Sequence, residues 1–227
     1  VKSKLLLFDI DGTLLTSHAG KVALSIALKD RFGFDNDLKH IELAGRTDAG
    51  IARQIFAAHG IEPTPENLSK FYDGYLHHLS HLLPDHPGKV FAGVIELLEK
   101  LKQHPEFVVA LLTGNLSRGA EIKLSHYGIW HYFEFGAFAD DHHERNQLGP
   151  FAMSRAQEKH GVAFAPKNII ILGDTPHDIA CARAIQAKAL AVCTGIHTRE
   201  ELAACHPDIL LDDLTDTEGV IEILQNA

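Results

Sequence analysis

Residues 4–15, KLLLFDIDGTLL, constrain the fold of this chain more than any other stretch. Leu5, Leu6, Leu7 and Phe8 form an unbroken apolar run. A run that long without alternation suits a strand covered on both faces, as in a parallel sheet. It ends in Asp9, followed two residues later by Asp11 and then by Gly12. Two carboxylates at the end of a buried strand lose hydration and repel each other, so their setting calls for a cation. Gly12 lets the backbone turn away with no side chain in the path. An Asx-type turn closing the strand is the purely structural alternative.

The rest of the chain reads as two kinds of segment. Val22, Leu24, Ile26, Leu28 and Phe32 recur at helical spacing, with Gly33 placed to end the run. A second helix is predicted over 48–59, closed by Gly60, and a third from Thr64 and Pro65 through Leu82, stopped by Pro84 and Pro87. Residues 17–87 contain no strand pattern and read as an inserted all-helical domain. Beyond them helix and strand alternate: helix 89–104, strand 107–112, helix 117–127, strand 132–139, helix 148–160, strand 168–172, a helix capped by Thr175 and running to about 187, strand 190–193, a short strand 209–211, and a helix from about 216. The predicted fold is α/β: a doubly wound, mostly parallel, Rossmann-like core from 1–16 and 88–227, with the helical domain 17–87 inserted. Its ligand crevice belongs at the carboxyl ends of the strands, where Asp9 and Asp11, Thr113 and Gly114, Asp140 and Asp141, and Gly173 and Asp174 all fall.

At 227 residues and 45% hydrophobic content the chain can bury a sizeable α/β core. A net charge of -9 argues against a general grip on nucleic acid. The longest apolar runs, 108–112 and 169–172, are too short to span a bilayer. Lys2 and Lys4 lead into only four apolar residues before Asp9, unlike a secretory leader. Cys181, Cys193 and Cys205 cannot all pair and sit in helical and strand-like runs, as small hydrophobes in a reducing compartment would. A cytoplasmic location is therefore expected, and oligomeric state stays open. Among sixteen histidines, His77 and His81 stand four apart and could share a helix face toward a metal. No acidic third ligand stands beside them, so a polar exposed face is expected there.

Residues 8–14, FDIDGTL, resemble the first signature of the haloacid dehalogenase-like hydrolase superfamily. Residues 111–115, LLTGN, resemble the second, and in physical terms a hydroxyl with successive backbone N–H groups at a strand end makes a small anion cradle. A plain capped turn is the alternative there. Residues 169–178, IIILGDTPHD, resemble the fourth signature. The third is normally a lysine between these two, and the phosphoglycolate phosphatase branch usually shows a Lys-Pro pair. Residues 144–150 instead read ERNQLGP, which makes Arg145 the candidate for the basic role, with Lys123 and Lys159 as weaker substitutes. Residues 44–48, AGRTD, resemble a Gly-Arg-x-Asp turn in the caps of that branch, so Arg46 and Thr47 become candidate substrate contacts. A helix start capped by Thr47 with Asp48 in its first turn explains those last two residues equally well.

The resemblance implies an Mg²⁺-dependent phosphatase that hydrolyses a phosphate monoester of a small metabolite, phosphoglycolate or a sugar phosphate, through an aspartyl-phosphate. Asp9 would be the nucleophile and Asp11 the general acid and base. Asp9, the backbone carbonyl of Asp11, and Asp174 would hold the ion, with Asp178 as a further ligand or an orienter of its waters. Thr113, Gly114, Asn115 and Arg145 would neutralise the phosphate oxygens. Dehalogenases and phosphonate-cleaving relatives lack an aspartate at the Asp11 position, so its presence favours phosphate esters. Two other readings share the motif: a phosphosugar mutase of the β-phosphoglucomutase type, and a binding module phosphorylated at Asp9 without turnover. A nucleotide-binding dehydrogenase is disfavoured, since no G-x-G-x-x-G follows the first strand.

Overall fold

Lys4–Phe8 forms the central strand, β1, and all four of its apolar residues from Leu5 onward are fully buried. The computed structural model describes residues 3–227, so Val1 and Lys2, which belong to the predicted 1–16 core segment and the leader argument, lie outside the described residues. In chain order β1 is followed by β2 (Leu15–Ser17), α1 (Ala19–Phe32), α2 (Asp48–His59), α3 (Pro65–Leu82), β3 (Gly88–Val90), α4 (Val94–Leu101), β4 (Phe107–Leu112), α5 (Ser117–His126), β5 (Gly136–Ala137), α6 (Gly149–His160), β6 (Ile169–Gly173), α7 (Pro176–Ala184), β7 (Lys188–Val192), α8 (Arg199–Ala204), β8 (Ile209–Leu211) and α9 (Thr217–Asn226). Six strands make one parallel sheet in the order β5-β4-β1-β6-β7-β8. The chain winds outward from β1 through β4 to β5, then returns to the other side of β1 as β6, so the switch point of this doubly wound sheet lies at β1.

Alternation along β1 explains why its sequence shows none. Leu6 and Phe8 pack into a layer with Val94, Leu97, Leu124, Val220 and Leu224 from α4, α5 and α9, whereas Leu5 and Leu7 face Ala152, Ala156, Ile179, Ala182 and Leu202 from α6, α7 and α8. Each face has its own helices, so every position is apolar. The helices α1, α2 and α3 gather around a third cluster that includes Ala27, Leu28, Ile55, Phe56, Phe71 and Leu79, with the Phe56 and Phe71 rings edge to face at 5.5 Å. Thr47 and Thr64 cap α2 and α3 through their side chains, and Gly33 and Gly60 close α1 and α2 in left-handed conformations, as their sequence positions predict.

Three local expectations are corrected. The helix predicted over 89–104 begins only at Val94, because residues 88–90 pair antiparallel with Leu15–Ser17 and Gly93 turns the chain at φ 81°. The strand predicted over 132–139 shrinks to Gly136–Ala137 at the sheet edge, after a 3-10 turn at Trp130–Tyr132. The helix predicted to reach 187 stops at Ala184, and Gln186 takes φ 56° to enter β7. His77 and His81 lie exposed with rings 4.4 Å apart, and belong to no cluster of three metal-ligating groups among the described residues. The three cysteines are free thiols, and no described helix is long and apolar enough to cross a membrane.

Candidate active site

The carboxyl ends of β1, β4 and β6 deliver the signature residues to one place. Asp9 leaves β1 buried, and the chain turns at Gly12, whose φ is 89°. The Asp174 carboxylate, carried by the end of β6, fills the space beside Gly12 and Gly195 so closely that a Cβ at either would overlap it. Thr13 Oγ1 donates to Asp174 Oδ1 at 2.9 Å. One carboxylate oxygen from each of Asp9, Asp174 and Asp178 lies within 4.8 Å of the others, and all three residues are buried. Arg145, from the 3-10 turn Arg145–Gln147, reaches in with Nη2 at 2.9 Å from Asp9 Oδ1 and also against Asp178 Oδ1, while Nη1 donates to Gly45 O at 3.2 Å. Asp178 Oδ2 accepts from Thr175 N and Oγ1 at 3.0 and 2.7 Å, closing the capping box of α7. Both Asp178 oxygens are engaged within the protein, which suits orienting a neighbour better than direct ligation.

Three buried carboxylates against one guanidinium leave two negative charges uncompensated. Burial pushes the Asp9 carboxyl up to about 6 against the opposing pull of Arg145. Burial, then Asp178 and Asp9, push Asp174 up to about 8. Burial works against the charge on Arg145, but Asp178 and Asp9 outweigh it and hold the guanidinium protonated. A hard divalent cation is what this oxygen donor set and charge deficit fit.

On the other side of β1, Asn115 Nδ2 donates to Asp11 Oδ2 at 2.8 Å and to Thr113 Oγ1 at 2.9 Å. The Asn115 backbone N–H lies 3.3 Å from Thr113 Oγ1, and its side chain orders Asp11 and Thr113. Thr113 Oγ1 accepts in both contacts and keeps its own proton to donate. Lys123 Nζ lies 2.6 Å from Asp11 Oδ2 and 2.7 Å from Asn115 Oδ1. A cavity of about 500 Å³ opens over Asp9, Asp11, Thr113, Gly114, Arg145 and Asp174, and Leu24, Leu43, Arg46, Ile51 and Tyr75 of the helical segment line its far wall.

The loop 44–48 docks on the β4 turn. Asp48 N donates to Gly114 O at 2.6 Å, and Leu116 N donates back to Asp48 Oδ2 at 2.8 Å. Thr47 is corrected as a substrate contact: its hydroxyl accepts from Gly50 N at 2.9 Å and donates to His143 O at 2.5 Å, and the residue is 2% exposed. Arg46 is half-exposed on the cavity wall and pairs with Glu42 at 2.6 Å. Asp140 and Asp141, which follow the third predicted strand, serve structure instead: Asp140 accepts from Ser117 N at 2.5 Å, and Asp141 holds Arg155 through two contacts of 2.6 Å. Lys159 pairs with Glu134 at 3.3 Å, away from the cavity lining. Lys123 enters the site more fully than its sequence rank suggested. Its spacing to Ala120 and Leu124 on the buried face of α5 is the signal that marks it, since a lysine there needs a buried partner.

Gly114 has no room for a side chain, because a Cβ would overlap the Arg46 carbonyl oxygen. Gly114→Ala is expected to lift the 44–48 loop and lower kcat/KM by roughly 10²-fold, the scale of an ångström-sized misplacement. An unchanged kcat/KM would show that the docked loop is irrelevant to turnover.

Residues 6–192 match the sequence model of a family described as Haloacid dehalogenase-like hydrolase. The chain is 29% identical over 225 residues to "Probable phosphatase IndB" of Dickeya dadantii, covering 97% of this chain and 94% of that protein. It is 28% identical over 230 residues to the phosphoglycolate phosphatase of Vibrio vulnificus, covering 96% of each. Its backbone matches a hydrolase from Pseudomonas syringae with a TM-score of 0.74 at 18% identity, over 97% of this chain and 99% of that one.

Proposed function

The chain belongs to the haloacid dehalogenase-like hydrolase family, and from that premise we propose that it is a phosphatase that hydrolyses small phosphate monoesters through Asp9. The convergence of Asp9, Asp11, Asp174, Thr113 and Arg145 on one cavity carries this reading. Asp9, Asp174 and the backbone carbonyl of Asp11 would hold Mg²⁺, with Asp178 orienting the set. When bound, the ion supplies positive charge that lets a carboxylate approach a phosphate dianion.

Asp9 attacks phosphorus in line with the ester oxygen, forming the Asp9 O–P bond as the P–O ester bond breaks. The ester oxygen keeps that electron pair and takes a proton from Asp11. In the second step Asp11, now a carboxylate, takes a proton from water as the water oxygen attacks the aspartyl-phosphate, which frees phosphate and restores Asp9. The Thr113 hydroxyl and the Arg145 guanidinium face the phosphoryl oxygens as charge builds on them.

Residues 17–87 act as a cap over a core made of 1–16 and 88–227, and closure of this cap excludes bulk water. Arg46 is its substrate contact. The cavity size favours small phosphate esters, and the name of the Vibrio vulnificus relative favours phosphoglycolate among them, in a cytoplasmic setting where the thiols stay reduced. The test is phosphate release with Mg²⁺ across such esters, with Asp9→Asn as the blank. Release from one or a few esters that needs both Mg²⁺ and Asp9 is the expected result. A sugar 1-phosphate converted to its isomer with no phosphate freed would make the protein a mutase, and no turnover at all would leave a binding module.

A further inference from the structure

We infer that Lys123 is a positioning residue that fixes which oxygen of Asp11 carries the proton delivered to the leaving group, an inference that rests on the phosphatase reading. Among the buried residues of α5, Lys123 stands between Gly119, Ala120 and Leu124, where an apolar side chain would be the ordinary occupant. The residue is only 5% exposed. An ammonium removed from water that far is strongly disfavoured unless it is paired. The pairing is specific. Nζ meets Asp11 Oδ2 at 2.6 Å and Asn115 Oδ1 at 2.7 Å, and the Asn115 amide turns its Nδ2 back to that same Asp11 oxygen at 2.8 Å.

Asp11 Oδ2 therefore receives two donors, while Oδ1 receives none from the described residues. A proton on Oδ2 would face an ammonium and an amide N–H, neither of which can accept it. The acid proton has to sit on Oδ1 of Asp11, a residue that lines the cavity.

During ester cleavage the Oδ1 proton moves to the departing oxygen as that oxygen leaves phosphorus with its electron pair. Oδ2 stays clamped throughout. Without Lys123 the carboxyl group can turn, and its proton is shared between a productive and an unproductive oxygen.

The experiment compares an alkyl phosphate, whose alkoxide needs a proton to leave, with p-nitrophenyl phosphate, whose phenolate does not. Lys123→Met is expected to lower kcat for the alkyl ester by roughly 10²-fold, within the range of general acid catalysis, and kcat for the aryl ester by less than about fivefold, with KM nearly unchanged. Asp11→Asn/Lys123→Met should lose no more than Asp11→Asn alone on the alkyl ester, since the lysine acts only through Asp11. That double variant removes both charges, so the comparison stands even if the single lysine variant fails to fold. Equal losses on the two esters would overturn the inference. So would a raised KM at unchanged kcat, the mark of a phosphate ligand, or a further loss in the double variant. Asp9→Asn separates the two levels: if it retains turnover the phosphatase reading fails, whereas an inactive Asp9→Asn beside equal losses in Lys123→Met sinks only the role of the lysine.

Discussion

Asp9→Asn is expected to lower turnover of the best substrate by roughly 10⁴- to 10⁶-fold, the scale seen when a nucleophile is removed, while the protein remains folded. The amide nitrogen and oxygen keep the shape of the carboxylate but cannot form the acyl phosphate. Stability should hold for a specific reason. The Asp9 carboxyl is pushed up to about 6 chiefly by burial, so at pH 7.5 its ionisation works against the metal-free fold, and the amide relieves that cost. Arg145 loses one partner but keeps Asp178 and Gly45 O. A melting curve at or above that of the wild type, beside an activity near background, is the expected pair of results. Turnover within tenfold of wild type would refute covalent catalysis at Asp9.

Much of this site was legible in the chain because it is local. Asp9, Asp11 and Gly12 sit within four residues, and the apolar run before them fixes the strand that carries them. Thr175 caps α7 as its position in the sequence predicts, and the structure adds a capping box with Asp178. What the chain concealed depends on contacts far apart in sequence. Lys123 is separated from Asp11 by 112 positions and Thr13 from Asp174 by 161. No periodicity reveals which carboxylate a buried cation will meet. The β2–β3 ribbon was hidden for the same reason, since Leu15–Ser17 and Gly88–Val90 are three-residue strands whose pairing bridges the whole helical insertion. Thr47 shows the opposite failure: its position suited two roles, and the local one, the helix cap, claimed the hydroxyl.

Asp174→Asn should abolish both activity and the response of stability to Mg²⁺, and the second effect tests the metal site without relying on turnover. In the metal-free protein Asp174 is pushed up to about 8, by burial first and then by Asp178 and Asp9. A carboxyl with a raised folded pKa binds its proton more tightly folded than unfolded, so between about pH 4 and 8 the native state holds more protons and stability falls as pH rises. Asp9 adds to this trend up to about pH 6. In chelator, the melting temperature of the wild type is therefore expected to decline from pH 5.5 to pH 8.5, by an amount that ionisation of buried carboxylates sets. Mg²⁺ held by the ionised carboxylates would oppose that decline, adding about 2.7 kcal/mol at a hundredfold excess over its dissociation constant, or roughly 5–10 °C for a chain of this size. With asparagine at position 174 the carboxylate that titrates is gone. The chelator profile should flatten above pH 6, the melting temperature at pH 8.5 should exceed that of the metal-free wild type, and Mg²⁺ should move it by no more than about 1 °C, the level of a non-specific ion effect. An undiminished Mg²⁺ shift in the variant would mean that the ion sits elsewhere, and the charge deficit left by Asp9, Asp174 and Asp178 around a single arginine would then need another counterion.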